Sequence, residues 1–251
     1  MAGTKPVEVL PLKSDSKWFL TGVKQTIYRY RMIEEGDSVA VAVSGGEDSG
    51  ALMYILEQFR RHAPFSFKLH AIFVDLGWPM EPAPLARYAG ELGIPFTIEK
   101  TAIAEVVFAR RQEKNPCALC SKMRHGALHQ AALELGANRV AVGHHLDDAI
   151  ETFLLNLVYT GRLGTFKPKT YLDRSGLDLI RPLIQIPGKT LSSVARREKI
   201  PVIDNPCPVN QKTRRREMAG LLDELASRYP DLRQKFRSAF SSSPFWLPPG
   251  D

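Results

Sequence analysis

The stretch SVAVAVSGGEDSGAL, Ser38 to Leu52, decides the fold. Val39 to Val43 is a short, largely β-branched apolar run of the kind buried in a parallel sheet. Ala51 to Phe59 reads as a helix. Between them lies a small turn, Ser44-Gly45-Gly46-Glu47-Asp48-Ser49. A turn that leads from strand into helix presents unpaired backbone N–H groups, and the helix dipole adds partial positive charge there. Gly45 and Gly46 let the main chain approach an oxyanion closely and adopt angles closed to other residues. Ser44 and Ser49 can donate hydroxyl hydrogen bonds. The turn therefore reads as a phosphate cradle, although Glu47 puts an acid in its middle. It is neither the Gly-x-x-x-x-Gly-Lys-Ser/Thr loop nor a dinucleotide fingerprint.

The alternation of strand and helix continues in both directions. Upstream, residues 1 to about 14 read as a loose tail. From about Ser16 to Ile33, Trp18, Phe19, Val23, Ile27, Tyr28 and Met32 recur at helical spacing. Downstream, strands are expected at Lys68–Val74, Pro95–Ile98, Arg139–Val142 and near Ile180. Helices are expected at Pro82–Leu92, Ala102–Arg111, Ala118–Leu135, Leu146–Tyr159 and about Lys189–Lys199. Gly161 to Gly176 reads as a basic loop, and Lys212 to Phe240 as a basic helix with a Pro-rich end. This pattern predicts an α/β fold with a doubly wound, mostly parallel, Rossmann-like sheet. An N-terminal helix and a basic C-terminal helical extension flank it. The expected segments are 1–35, 36–205 and 206–251. Ligands in such folds sit beyond the C-terminal ends of the strands. Ser44–Ser49, Asp75–Trp78 and Gly143–Asp148 all fall there.

The 251 residues are 44% hydrophobic and 24% charged, which suits an ordinary globular chain. There is no run of about 18 apolar residues, so no membrane span is expected. The N-terminus lacks a compact apolar segment with a cleavage site, and the expected compartment is the cytosol. A formal charge of +7 favours an anionic partner, nucleic acid foremost. Arg162, Lys167, Lys169 and Arg174, with the run Lys212, Arg214, Arg215 and Arg216, are candidate RNA contacts or a solvated face.

The three cysteines, Cys117, Cys120 and Cys207, argue against a disulfide framework. Cys117-Ala-Leu-Cys120 leads into a helix, whose N-terminus favours thiolates. Cys207 lies in the stiff run Asn205-Pro206-Cys207-Pro208. Three readings stand at this point. A redox pair would leave Cys207 idle. A zinc site would want His144 or His145 as fourth ligand. A 4Fe–4S cluster on three cysteines would leave one iron open. Lys122 and Arg124 lie within one helical turn of Cys120. They are candidates to stabilise charge on a leaving phosphate or on sulfide, or else a solvated face. Asp147 and Asp148 suit a helix N-terminus as dipole-complementing residues. Alternatively they bind magnesium or assist proton transfer.

The run Ser-Gly-Gly-x-Asp-Ser after an apolar strand resembles the pyrophosphate (PP) loop of the adenine nucleotide alpha hydrolase-like superfamily. Its members cleave ATP between the α and β phosphates and adenylate a carbonyl oxygen. Over roughly Trp18 to Leu225 the chain also resembles the tRNA 2-thiocytidine synthetase family. The runs RMIEEGDSVAVAVSGGEDS, CALCSKMRHGALHQAALELGANRVAVGHHLDDAIETFLLNLVYTGRLGTF and NPCPVNQKTRRREM carry that resemblance. It implies a tRNA sulfurtransferase that uses ATP, Mg2+ and a 4Fe–4S cluster held by Cys117, Cys120 and Cys207. It implies nucleotide contacts from Ser44, Gly45, Gly46, Asp48, Ser49 and His144, with adenine near Ala42, Phe73 and Gly143. Asp147, Asp148, Lys122 and Arg124 are then the catalytic candidates. Expected partners are tRNA and a sulfur donor, either sulfide or a cysteine desulfurase, with a homodimer as an open option. Two other readings stay in view: a lysidine synthetase-like ligase, and a non-catalytic nucleotide-binding iron–sulfur sensor. Glu47 is the departure, because close relatives usually carry lysine there.

Overall fold

The computed structural model describes residues 17–112, 115–209 and 213–247. The expected N-terminal tail, Lys212 and the last residues lie outside them. Helix α1 spans Lys17–Arg29 and strand β1 Ser38–Ala42. Helix α2 spans Glu47–His62, β2 Lys68–Asp75, α3 Ala83–Glu91 and β3 Phe96–Lys100. A π-helical turn, Glu105–Arg110, precedes α4, Pro116–Glu134. Then come β4 (Arg139–Ala141), α5 (Leu146–Thr160), β5 (Lys169–Leu172), β6 (Leu177–Ile180) and α6 (Gly188–Arg197). Helices α7 (Arg214–Arg228) and α8 (Leu232–Ser241) follow.

The sheet order is β3-β2-β1-β4-β6-β5. All neighbours run parallel except β5 and β6, which form an antiparallel hairpin. From β1 the chain moves outward to β3, then returns to β4 on the other side of β1. That reversal opens a crevice between β1 and β4 at their C-terminal ends, where α2 and α5 begin.

Period-two alternation in β1 divides the core. Val39, Val41 and Val43 face the larger apolar cluster, which includes residues of α1, α2, α3, α5 and α6. Ala40 faces the other side with Ile72, Val140 and Leu179, where Leu128, Ala131 and Ala132 of α4 cover the sheet. Helix α2 is buried from Ser49 to Phe59, which explains why that helix reads as apolar nearly all round. Met218 and Leu222 of α7, Phe240 of α8 and Trp246 join the larger cluster, so the C-terminal segment packs into the same core.

Two expectations change. The basic loop contains the edge strand β5, which is only four residues long and opens on the polar Lys169 and Thr170. The single C-terminal helix is two, because Pro230 cannot continue α7 and the chain turns at Tyr229.

At the opposite, N-terminal edge, Arg139 bonds Asp37 at 3.1 Å and also Asp178. Asn138 donates to Asp37 at 2.7 Å, and Lys169 pairs with Asp178 at 3.2 Å. This buried network ties the starts of β1, β4 and β6 together. It also engages Lys169, while Arg174 sits in the hairpin turn away from the crevice.

Candidate active site

The crevice opens into a cavity of about 500 Å³. Its floor is made by strand ends. Ala42, Phe73 and Gly143 line it, as do Ser44, Gly46, Asp48 and Ser49 of the first turn. His144, Asp148 and Arg124 complete the group expected from the sequence.

Gly46 caps α2 without a side-chain hydrogen bond, so the first N–H groups of a 16-residue helix stay available to an anion. The loop is braced from within. The Ser49 hydroxyl donates to the Gly46 carbonyl at 2.9 Å and accepts from the Ser44 N–H at 3.0 Å. Ser49 is buried and braces the turn while also lining the cavity. Gly45 does not line the cavity. It takes φ +91°, and a Cβ there would meet the Ile203 side chain at 2.3 Å. Its glycine is required by the chain after α6, whose Ile203 N–H donates to the Gly45 carbonyl at 3.0 Å. Gly143 is required by another approach: a Cβ would stand 3.2 Å from the Asp48 carbonyl and the Ser49 nitrogen.

Glu47 turns away from the cavity. Its carboxylate accepts from the Ser192 hydroxyl of α6 at 2.6 Å. The acid in the loop therefore links two helices.

The two aspartates at the start of α5 have different surroundings. Asp147 is fully engaged: Oδ2 accepts from the Gly188 N–H at 2.7 Å and Oδ1 from Arg233 at 2.5 Å. It joins α5 to α6 and α8 outside the cavity lining. Asp148 lines the cavity, accepts from the His145 N–H at 3.0 Å and pairs with Arg215 at 3.1 Å. His145 Nε2 lies 3.6 Å from Asp48 and 3.5 Å from Asp148. The two carboxylates therefore flank the His145 ring nitrogen, and their oxygens are the donor type that a hard divalent cation takes. Burial pulls the His145 pKa down, but Asp48, Asp148 and Asp147 together push it up to about 9. Protonation competes with the helix cap, because the 3.4 Å contact from the Asp148 N–H needs a bare Nδ1. Glu151, behind Asp148, is pushed up to about 7 by burial and by the Asp148 charge.

His144 is in the opposite state. Burial and the neighbouring Arg181 push it down to about 3.

The thiols stand next to the cavity. Cys117 is exposed, Cys120 and Cys207 are half-buried, and all are free. Burial pushes the Cys120 thiol up. Arg124 opposes this, while Cys207 and Cys117 add to it. Leu119, Cys120 and Met123 pack on an apolar floor of Leu76, Ile103 and Val107. The Cys207 N–H is held by the Asn205 side chain at 3.0 Å. Three soft donors over a low-dielectric floor fit an iron–sulfur cluster in donor chemistry. Among the described residues, no three His, Cys, Asp or Glu side chains gather tightly enough to hold a metal ion. Lys122 is exposed and outside the cavity lining.

Ile203, Asp204 and Asn205 also line the cavity, and the sequence reading missed them. The adjacent Asn-Pro-Cys-Pro run was the available signal. His125, one residue beyond Arg124 on α4, was missed too.

Comparison with known proteins agrees with this architecture. Residues 20–219 match the PP-loop domain model. The tRNA-cytidine(32) 2-sulfurtransferase of Pelobacter propionicus is 37% identical over 224 residues, 88% of this chain and 83% of that protein. The one from Bordetella petrii is 39% identical over 218 residues, 86% of this chain and 67% of that protein. Among solved structures, the U34-tRNA thiolase NcsA from Methanococcus maripaludis, with its [4Fe-4S] cluster, superposes with a TM-score of 0.71. That match has 20% identity and covers 89% of this chain and 77% of that one, a likeness of fold. The chain belongs to the PP-loop family and to the tRNA-cytidine(32) 2-sulfurtransferases.

Proposed function

We propose that this protein replaces the C2 oxygen of a tRNA cytidine with sulfur, at the expense of ATP cleaved to AMP and pyrophosphate. One observation carries the reading: the cavity and the thiols share their supports. Helix α4 bears Cys120 one turn before the cavity-lining Arg124, and the loop lining the cavity at Asn205 continues to Cys207.

The uncapped start of α2 binds phosphate oxygens, with Asp48 and Asp148 as the residues that would hold Mg2+. The cytidine O2 attacks the α-phosphate, an O–P bond forms, and pyrophosphate leaves. This converts a poor leaving group into AMP. A sulfur nucleophile then forms the C–S bond at C2, and AMP departs with the former base oxygen. A cluster on Cys117, Cys120 and Cys207 would supply an open iron able to carry that sulfur. Arg124 stabilises negative charge between the two centres. Sulfide, free or delivered by a cysteine desulfurase, is the donor, and a homodimer is the assembly to check by light scattering. The base must leave any stack to enter, so a loop nucleotide is the target. The exposed Arg162, Lys167, Arg214 and Arg216 are the proposed RNA contacts.

The test is mass spectrometry of tRNA nucleosides from cells with and without the gene. Loss of a 2-thiocytidine supports the reading; an unchanged profile removes it. Base-labelled [2-18O]cytidine tRNA tests the first step, since the label must appear in AMP.

A further inference from the structure

Just past β6 stands Arg181, a guanidinium only 7% exposed. Among the described residues no carboxylate pairs with it. Its Nη1 donates to the Lys167 carbonyl at 2.7 Å and to the Thr170 hydroxyl at 3.4 Å. Its Nε donates to His144 Nδ1 at 3.2 Å. A guanidinium has no acceptor atom. In this bond Nδ1 must therefore be the acceptor, and the hydrogen of the neutral ring must sit on Nε2.

The ring is held in place as well as in form. It stacks on Phe166 with centroids 4.8 Å apart and planes 26° apart. Arg181 lies over the same phenyl ring at 4.9 Å. The Phe166 carbonyl accepts the indole N–H of the buried Trp246 at 3.1 Å. A second proton on Nδ1 would point at an N–H donor and a cation. Burial and the Arg181 charge keep it off, consistent with the depressed pKa. The ring borders the cavity next to Gly143, which packs on the start of α2.

We propose that Arg181 is a positioning residue that fixes His144 as a neutral imidazole with its hydrogen on Nε2, making it an uncharged donor to a phosphate oxygen of the bound nucleotide. This rests on reading the cavity as the nucleotide site. The chemical sense lies in the neighbouring carboxylates. Asp148 already faces Arg215 and the raised His145, so an imidazolium at His144 would be one more cation competing with a divalent ion for it; a neutral N–H donor adds none.

The experiment is long-range 1H–15N correlation on 15N-histidine-labelled full-length protein, with His144→Gln used to assign the signal. At pH 7 the expected His144 pattern is one N–H-type nitrogen, Nε2, and one bare nitrogen, Nδ1. An Nδ1–H tautomer or an imidazolium would overturn the proposal, and the wild-type spectrum decides this once the signal is assigned. In Arg181→Met the tautomers should mix; an unchanged pattern would remove Arg181 from the role. Adding α,β-methylene-ATP should shift the Nε2 resonance together with the amides of residues 46–49. Amide shifts with Nε2 unmoved would sink the donor role, whereas no shift anywhere would sink the nucleotide reading itself. In turnover, His144→Gln, which retains an N–H, should recover most of the activity. His144→Phe should lose about 10²- to 10³-fold in kcat, as for one transition-state donor.

Discussion

At the scale of single residues, the acid in the phosphate loop and the aspartate pair make the sharpest claims. Glu47 bonds Ser192 and does not line the cavity. Glu47→Gln should therefore change ATP affinity by no more than about twofold, the range of a substitution outside the site; isothermal titration checks this. The aspartates should separate by readout. Asp147→Ala removes two buried hydrogen bonds, one from a guanidinium, and should cost about 2–4 kcal/mol in denaturant unfolding. Asp148→Asn keeps an acceptor for the His145 N–H, so it should cost less stability than Asp147→Ala while lowering pyrophosphate release with tRNA by at least about tenfold. The sequence alone treats these neighbours alike, because both fit the start of a helix. Only the packing of α6 and α8 tells them apart. By contrast Ala42, Ser44, Gly46 and Gly143 were readable beforehand, since strand-to-helix turns announce themselves locally. Ile203 to Asn205 were not, because their approach to Gly45 joins segments far apart in the chain.

At the scale of elements, the parallel strands and their helices follow from local apolar runs. The C-terminal elements do not. The Pro-rich end after the expected helix gives no sign of packing, yet Trp246 is fully buried against Phe240, with Phe153, Phe236 and Phe245 in the same aromatic group. Burying a large aromatic brings order where composition suggests none. Trp246→Ala should cost about 3–5 kcal/mol, the usual range for emptying such a site. The loss should reach the active site, because the indole holds the Phe166 carbonyl beneath His144. Thermal unfolding and the His144 signal should change together. Trp246→Phe should recover part of the stability without the hydrogen bond to Phe166.

For the whole molecule, proton linkage sets a stability limit on the acid side. Burial pushes the pKa of His70, His125, His129 and His144 below the usual histidine value. A base depressed by folding contributes stability that is complete above its unfolded pKa, near 6.5, and is lost as pH falls towards its folded value. His145 has the opposite sign: raised to about 9, it stabilises below pH 6.5 and loses that contribution as pH rises through 9. Below pH 6.5 the His145 contribution is constant, while Glu151, raised to about 7, gains stability as pH falls; four depressed histidines against that one carboxyl should still lower the melting temperature as pH drops from 6.5 to 4.5. His129 offers the cleanest check, since it lies on α4 away from the carboxylates. Its Nε2 is buried without a hydrogen-bond partner among the described residues. An orphaned buried polar group costs about 1–3 kcal/mol, and an apolar group of similar shape removes that cost. His129→Leu should therefore raise the melting temperature at pH 7.5. It should raise it further at pH 5.5, where the wild-type ring must either charge in an apolar site or help unfold the chain. Scanning fluorimetry of both proteins across this range measures the difference. A gap that stays constant with pH would mean that His129 titrates alike in folded and unfolded chains, and the acid limit would then belong to the other three histidines.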